Sequence, residues 1–189
     1  DLPDSFFDIA IGNVPFGDYR VNDPVYNSHG FLIHDYFFAK TLDKLRAGGV
    51  AAYITTKGTM DKESTKVREF LFKKAELLGA IRLPNTAFKN AGTKVTADIL
   101  FLQKREREIE NPEWTTITED AQGFRINSYF VQHPEMILGT MQEISGPYGM
   151  ETTCVEKEGV PLGERLRADS LSVLVRQAVK VTNMLLNIP

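Results

Sequence analysis

Cysteine and long apolar runs are almost missing from this sequence. The one cysteine, Cys154, cannot form an internal disulfide or a cysteine-rich metal site, and its isolation is typical of a protein of the reducing cytoplasm. The three histidines stand in unrelated contexts, so we predict no metal site. No apolar run approaches the roughly 20 residues that cross a bilayer, so we predict neither a membrane span nor a membrane partner.

An excess of charge of one sign is also missing. The formal net charge is −3, and the composition of 42% hydrophobic and 25% charged residues is ordinary for a globular protein. Such a chain has no global attraction for nucleic acid, so binding of that kind would depend on a local basic surface. The 189 residues suffice for one medium domain, or for one domain with an appendage.

β-rich runs alternate with helical patterns in the first half of the sequence. The predicted strands cover residues 6–11, 50–56, 78–83 and 95–103, and the predicted helices cover 31–47 and about 61–76. The first run is almost continuously apolar, as in a strand buried on both faces, and Gly48-Gly49 stands at the predicted C-cap of the first helix. This order predicts an α/β fold with three parallel strands and an antiparallel return strand.

A charged stretch after residue 103 interrupts this alternation and predicts a boundary. We expect residues 105–189 to form a linker and a small α+β appendage. Its predicted elements are a short helix over 128–138, a hairpin formed by 139–145 and 150–156, and one or two amphipathic helices over 161–186.

The first strand ends in the tetrapeptide Asn13-Val14-Pro15-Phe16. Ligands of open α/β sheets bind outside the carboxyl ends of the strands, where this tetrapeptide lies. The oxygen of an Asn side chain and a neighbouring backbone carbonyl can both accept from one NH₂ group, and an aromatic face can stack on a base with about 1–3 kcal/mol. The pattern favours a site that holds a planar amine by positioning, although a simple turn after a strand is the alternative.

The tetrapeptide resembles the Asn-Pro-Pro-aromatic motif of DNA methyltransferases that methylate amino groups, chiefly the adenine-N6 enzymes. Those enzymes hold the amine of a flipped-out adenine next to S-adenosylmethionine. The similarity covers about residues 5–105, through IGNVPFGDY, IHDYFFAKTLDKLRAGGVAAYITTKGTMD, LLGAIRLPNTAF and AGTKVTADILFLQKR. More narrowly, these segments resemble the large methylase–helicase proteins of bacterial plasmids, phages and conjugative elements, and INSYFVQHPEMILGTM weakly resembles the segment that follows their methylase.

The resemblance implies a Rossmann-like, S-adenosylmethionine-dependent DNA (adenine-N6) methyltransferase of the bacterial cytoplasm. Its implied partners are DNA and a helicase region of the same polypeptide. Asn13 and the Val14 carbonyl would accept from the adenine amine, Pro15 would set the geometry and Phe16 would stack on the base. Val14 replaces the usual first Pro, but it keeps the carbonyl and is biased towards an extended conformation because it precedes Pro15.

The glycine-rich cofactor loop of the family has no counterpart in this sequence. The chain also opens at Asp1 without a methionine, where the fourth strand of the family would lie. We therefore expect residues 1–104 to be the C-terminal half of a methyltransferase catalytic domain, with the cofactor-binding residues upstream and unknown. On this interpretation the fragment alone neither methylates nor binds S-adenosylmethionine well.

Several polar side chains are predicted to lie near the same edge of the sheet as Asn13. They could contact DNA phosphates, although a solvated basic loop explains the lysines equally well; these candidates are Lys57, Arg82, Asn85, Lys89 and Lys94. His34 and Asp35 are neighbours on a helix and should point in different directions, which favours a surface or capping role over a catalytic pair. The aromatic residues Phe31, Tyr36, Phe37 and Phe38 are predicted to belong to the core.

Two other functions fit the sequence. Related motifs occur in methyltransferases that act on protein glutamine or on RNA, where the acceptor is also a planar amide or amine. The fold could also survive as a DNA-binding or scaffolding module without catalysis, for example in the protection of a mobile element from host restriction.

Overall fold

The computed structural model describes residues 2–146, 149–159 and 161–166. Its centre is a four-stranded sheet in the order β1-β2-β4-β3, formed by β1 (Phe7–Asn13), β2 (Leu45–Thr56), β3 (Ala75–Leu83) and β4 (Ala97–Lys104). β1 is parallel to β2, whereas β4 is antiparallel to both β2 and β3. Three strands therefore run in one direction and the fourth returns, which confirms the predicted Rossmann-like α/β sheet. The return strand lies between β2 and β3, a position that the sequence pattern does not reveal.

The helix α1 (Ile33–Lys44) is shorter than the predicted 31–47. It buries Phe38, Ala39 and Leu42 in the core, but the backbone becomes extended at Leu45 and enters β2 directly. The Gly48-Gly49 pair lies inside β2 and is not a helix cap, so that prediction was wrong. Its physical role is a bulge, because the pairing of β1 with β2 shifts register between Phe7 and Ile9, and Gly48 has a φ of 79°.

The helix predicted over about 61–76 begins later than expected, and a separate short helix precedes it. α2 (Gly58–Asp61) ends at Lys62, whose backbone is extended, and α3 (Lys66–Lys74) begins after Thr65. The Thr65 hydroxyl donates to the Glu69 carboxylate over 2.6 Å in the first turn of α3. β3 begins directly at Ala75, so the strand starts earlier than the sequence predicted.

The strand β1 lies at one edge of the sheet. Ile9 is 64% exposed and Ile11 is 79% exposed, so the prediction of burial on both faces was wrong. Within the described residues β2 is the only strand that pairs with β1. An open groove of about 620 Å³ lies between β1 and α1, with Phe7, Phe37 and Tyr53 in its wall. Phe37 is accordingly 39% exposed, whereas the other three residues of the predicted aromatic core are buried.

The later elements pack on the sheet. They are the hairpin β5 (Ile117–Glu119) with β6 (Arg125–Asn127), the helix α4 (Ser128–Gln132), the hairpin β7 (Gly139–Gly146) with β8 (Gly149–Glu156), and the short helix α5 (Leu162–Arg165). The predicted hairpin is confirmed. The helix predicted over 128–138 stops early because Pro134 starts a separate 3-10 turn. Apart from α5, the helices predicted over 161–186 lie outside the described residues.

The core joins the two predicted units, residues 1–104 and 105–189. Leu100 and Leu102 from β4 belong to the same hydrophobic cluster as Phe130 from α4 and Met141 from β7. The described residues after 104 therefore pack on the sheet through apolar side chains.

Candidate active site

The backbone of the Asn13-Val14-Pro15-Phe16 turn is anchored to β2 at its first two residues. Asn13 is the last residue of β1 and stands opposite Ile54 of β2. The Val14 amide donates to the Ile54 carbonyl over 3.1 Å, and the Val14 side chain is only 4% exposed in the core. Replacement of the usual proline by Val14 thus adds one N–H group, and β2 satisfies it.

The polar groups of this turn point away from the core. Asn13 and Pro15 are exposed, and Phe16 is 37% exposed. Neither the side-chain amide of Asn13 nor the backbone carbonyl of Val14 has a hydrogen-bond partner among the described residues. A little further on, the Ile33 amide donates to the Tyr19 carbonyl over 2.9 Å, which ties the end of the loop to the start of α1. Two acceptors are therefore presented on a fixed backbone at the carboxyl edge.

His34 and Asp35 form a buried cluster with Lys62 beside this loop. Nε2 of His34 lies 3.3 Å from Oδ1 of Asp35 and 3.3 Å from Nζ of Lys62, while Nζ of Lys62 lies 3.2 Å from Oδ2 of Asp35. The prediction that the two neighbours point apart on the helix surface was wrong. They occupy the first turn of α1, where Lys62 from the β2–α3 connection reaches both of them. Burial, reinforced by the Lys62 charge, lowers the pKa of His34 despite the opposing charge of Asp35.

Arg82 is fully buried, which contradicts its predicted role as a phosphate contact. Its Nε and Nη2 atoms donate to the Asp98 carboxylate over 2.9 Å each, and its Nη1 atom lies 2.8 Å from Oδ2 of Asp61. Burial opposes the charge on Arg82, but the two carboxylates outweigh it and raise the pKa of the guanidinium. A fully buried cation that is held by two carboxylates is unavailable to DNA.

The ammonium group of Lys57, like the guanidinium of Arg82, is bound by other residues of the protein. It follows β2, it is half-buried, and its ammonium group donates to the Thr152 carbonyl of β8. Burial lowers the pKa of Lys57. The same hairpin is tied to the loop after β3 by two hydrogen bonds. The backbone N–H of Asn85 donates to the Cys154 carbonyl over 2.7 Å, and the backbone N–H of Cys154 donates to the Thr96 hydroxyl over 2.9 Å. The hairpin of β7 and β8 therefore covers the carboxyl edge beside β3 and β4.

Lys89 and Lys94 are exposed on the loop between β3 and β4, and the Asn85 side chain is partly exposed at its start. Their contacts with DNA stay predictions. No three metal-binding side chains come together in the part of the chain that the structure describes. No helix within the described ranges is long and apolar enough to cross a membrane.

Several solved structures resemble the chain at low sequence identity. The solved structures that resemble it include the type I restriction enzyme EcoKI M protein, at 13% identity and a TM-score of 0.46, covering 97% of this chain and 51% of that one. A protein of Listeria monocytogenes described as a class I S-adenosylmethionine-dependent methyltransferase gives 23% identity and a TM-score of 0.45, covering 60% of this chain and 36% of that one. A chain of a type I R-M system gives 19% identity and a TM-score of 0.44, covering 53% and 22%.

Two sequence matches accompany these structures. Defense against restriction protein B of Escherichia phage P1 is 34% identical over 111 residues, which are 57% of this chain but only 5% of that protein. The family described as N-6 DNA Methylase matches residues 3–130, which is more than half of the chain. This protein therefore belongs to the N-6 DNA methylase family.

Proposed function

We propose that the chain forms the amine-binding half of an S-adenosylmethionine-dependent DNA (adenine-N6) methyltransferase. The observation that carries this proposal is the pair of acceptors at the end of β1. The Asn13 amide is exposed beside the Val14 carbonyl, neither has a hydrogen-bond partner among the described residues, and their backbone is held by Ile54. The family to which the chain belongs acts, by its name, on DNA as an N-6 methylase.

In this site the adenine amine donates one hydrogen bond to Asn13 and one to the Val14 carbonyl. Two acceptors fix both N–H bonds and so direct the nitrogen lone pair away from the turn. Phe16 stacks on the ring of the base, and Pro15 keeps the two acceptors in place before the substrate arrives. Catalysis by these residues is positioning and electrostatic stabilisation, so no strong base is required.

S-adenosylmethionine supplies the methyl group when it is bound to the whole domain. The described residues contain no glycine-rich turn that joins a strand to a helix with an acidic residue beyond it, so they do not form its binding site. We propose that the cofactor-binding half pairs with the free edge of β1 and fills the groove beside α1. Residues 1–104 then complete the catalytic domain, the chain alone is inactive, and residues 105–189 follow as an appendage.

The proposed setting is a longer bacterial polypeptide that acts in the cytoplasm on DNA. The matching phage protein is far longer than this chain, which covers 5% of it, and its name describes defence against restriction. We propose that this chain also serves a mobile element, in a polypeptide that carries a helicase region.

The experiment compares this chain with an extended chain that includes the preceding sequence of its natural gene. We expect the extended chain to transfer labelled methyl groups from S-adenosylmethionine to adenine-N6 in bacterial DNA, and the 189-residue chain to transfer none. Asn13→Ala in the extended chain should lower the rate by about 100-fold or more, as the loss of one preorganised polar group does elsewhere. Asn111→Ala serves as the control because Asn111 is exposed and remote from Asn13 in the sequence.

The alternatives give different outcomes in the same assay. An unchanged rate in the Asn13→Ala variant contradicts the assigned role. Methylation of glutamine in a protein, or of RNA, with none of DNA identifies a different acceptor. DNA binding without any methylation identifies a scaffold.

A further inference from the structure

The loop after Asn13 exposes a second aromatic ring and a cation next to it. Tyr19 is 57% exposed, more than Phe16 at 37%. Arg20 follows directly and is exposed as well. Both residues stand on the segment between the end of β1 and the start of α1, on the same edge of the sheet as the two acceptors. Clustered exposed aromatic side chains commonly mark a binding surface.

The Tyr19 ring lies in the space that a side chain at position 17 would fill. A Cβ atom at Gly17 would lie 2.6 Å from Cε1 and 2.8 Å from Cδ1 of Tyr19, so the ring packs directly on the Gly17 backbone. The φ of Gly17 is not in the left-handed region, and this glycine therefore provides space for the ring. The Tyr19 carbonyl also accepts from the Ile33 amide, so the backbone that carries the ring is fixed as well.

The charge of Arg20 is free in the described structure. Its guanidinium packs on Gly30, where an added Cβ would lie 3.7 Å from Cζ of Arg20. It makes no ion pair or hydrogen bond with any described residue. The nearby acidic residue Asp18 acts electrostatically on His34 and forms no ion pair with Arg20. Arg20 differs in this from the buried Arg82, which two carboxylates neutralise.

We propose that Tyr19 and Arg20 bind the nucleotide that neighbours the target adenine on the same strand. The ring stacks on that base and the guanidinium binds its phosphate, which is the combination used for unpaired nucleic acid. Three residues of extended chain span at most about 10 Å, so Phe16 and Tyr19 can contact adjacent bases. This proposal rests on the proposed function, because it takes the base at Phe16 to be the flipped-out adenine.

The test measures binding of the extended chain to a fluorescent single-stranded oligonucleotide at several salt concentrations. We expect Tyr19→Ala to weaken binding about ten-fold, within the range of base–aromatic stacking, and Tyr19→Phe to bind like the unaltered protein. Arg20→Ala should lower the slope of log K against log salt concentration by about 0.7, which corresponds to one phosphate. Val25→Ala and Arg107→Ala are matched controls, since Val25 is 69% exposed and Arg107 is an exposed cation in the charged stretch after β4.

The outcomes separate this proposal from the proposed function. If Tyr19→Ala and Arg20→Ala bind as tightly as the controls while Asn13→Ala still abolishes methylation, the nucleotide contact is wrong and the methyltransferase stands. If the unaltered extended chain binds no DNA, both are wrong. Circular dichroism of each variant shows whether the fold is retained. Tyr19→Phe keeps the aromatic ring, so normal binding by this variant shows that the loss in Tyr19→Ala is the loss of the ring contact.

Discussion

Arg82 and Asp98 face each other on β3 and β4 and are joined by two parallel hydrogen bonds of 2.9 Å in the interior of the protein. The same guanidinium lies 2.8 Å from Asp61 at the end of α2 and 4.2 Å above the ring of Phe130 in α4. Burial keeps the pKa of Asp98 above its ordinary value, although Arg82 acts in the opposite direction. One side chain thus connects the sheet, the segment after β2 and the later part of the chain.

Arg82→Met should destabilise the fold by about 3–5 kcal/mol, because it leaves the Asp98 carboxylate buried without its partner. The double variant Arg82→Met, Asp98→Leu removes both charges of this fully buried pair and leaves only Asp61, whose side chain is 13% exposed, without its partner, so it should lose less stability than the single variant. Urea denaturation followed by circular dichroism measures both. A double variant at least as unstable as Arg82→Met would show that the orphaned charge is not the cause.

Arg125→Ala provides the matched comparison for that pair. Arg125 forms an ion pair with Glu63 over 3.0 Å, but both side chains are largely exposed to solvent. Exposed pairs of this kind contribute about 0–1 kcal/mol, so the free energy of unfolding should hardly change. A large loss here would mean that burial does not separate the two ion pairs.

Gly139→Ala should destabilise the hairpin of β7 and β8 by about 1–3 kcal/mol or more through overpacking. A Cβ atom at this position would lie 2.3 Å from Sγ of Cys154 and 2.3 Å from the Val155 carbonyl oxygen. Gly163→Ala is the control, because a Cβ there meets no atom of the described residues within 4 Å. Thermal unfolding of the two variants should differ by several degrees, and equal melting temperatures would contradict the close contact.

The Cys154 thiol should be inert in the folded protein. Burial raises its pKa to about 12, and the side chain is fully enclosed. Very little thiolate is therefore present at pH 8. Ellman's reagent should react slowly with the native chain and rapidly after addition of guanidinium chloride, and fast reaction of the native chain would show that the hairpin opens readily.

Acidification should destabilise the fold through His34. In the unfolded chain its pKa takes the ordinary value of 6.5, whereas burial lowers it in the folded protein. The unfolded state therefore binds the proton more readily, and stability is lost as the pH falls through 6.5 towards the folded pKa. Relative to His34→Gln, the free energy of unfolding should decline with a slope of at most about 1.4 kcal/mol per pH unit. Parallel stability curves between pH 8 and pH 5 would contradict this.

The sequence predicts strands and helices where local pattern and packing agree. The apolar runs that become β2, β3 and β4 are found within a few residues, and the hairpin around Gly146 is recognised by its turn residues. The errors occur where long-range contacts decide the local structure. Gly48-Gly49 is typical of a helix cap, but it lies in the extra residues of β2 between the Phe7–Leu45 and Ile9–Val50 pairs, which makes it part of a bulge.

In the candidate site, too, local features are predicted from the sequence and long-range contacts are not. The Asn13 turn could be located from the sequence, because it depends on one strand and its end. The burial of Arg82 could not be predicted, because it depends on Asp98 of the return strand and on Asp61 at the end of α2, which only the tertiary packing brings next to it. The cluster of His34 and Asp35 was missed for a similar reason, since Lys62 lies 28 residues from His34 in the sequence.

The placement of β4 between β2 and β3 also sets an order of events on the ribosome. β3 leaves the ribosome before β4, and β4 is its sheet partner in the described structure. At about 5–20 residues per second, the stretch from Leu83 to Lys104 takes about 1–4 seconds to make. During that interval the apolar β3 segment has no native sheet partner, so its pairing has to wait until β4 has been made.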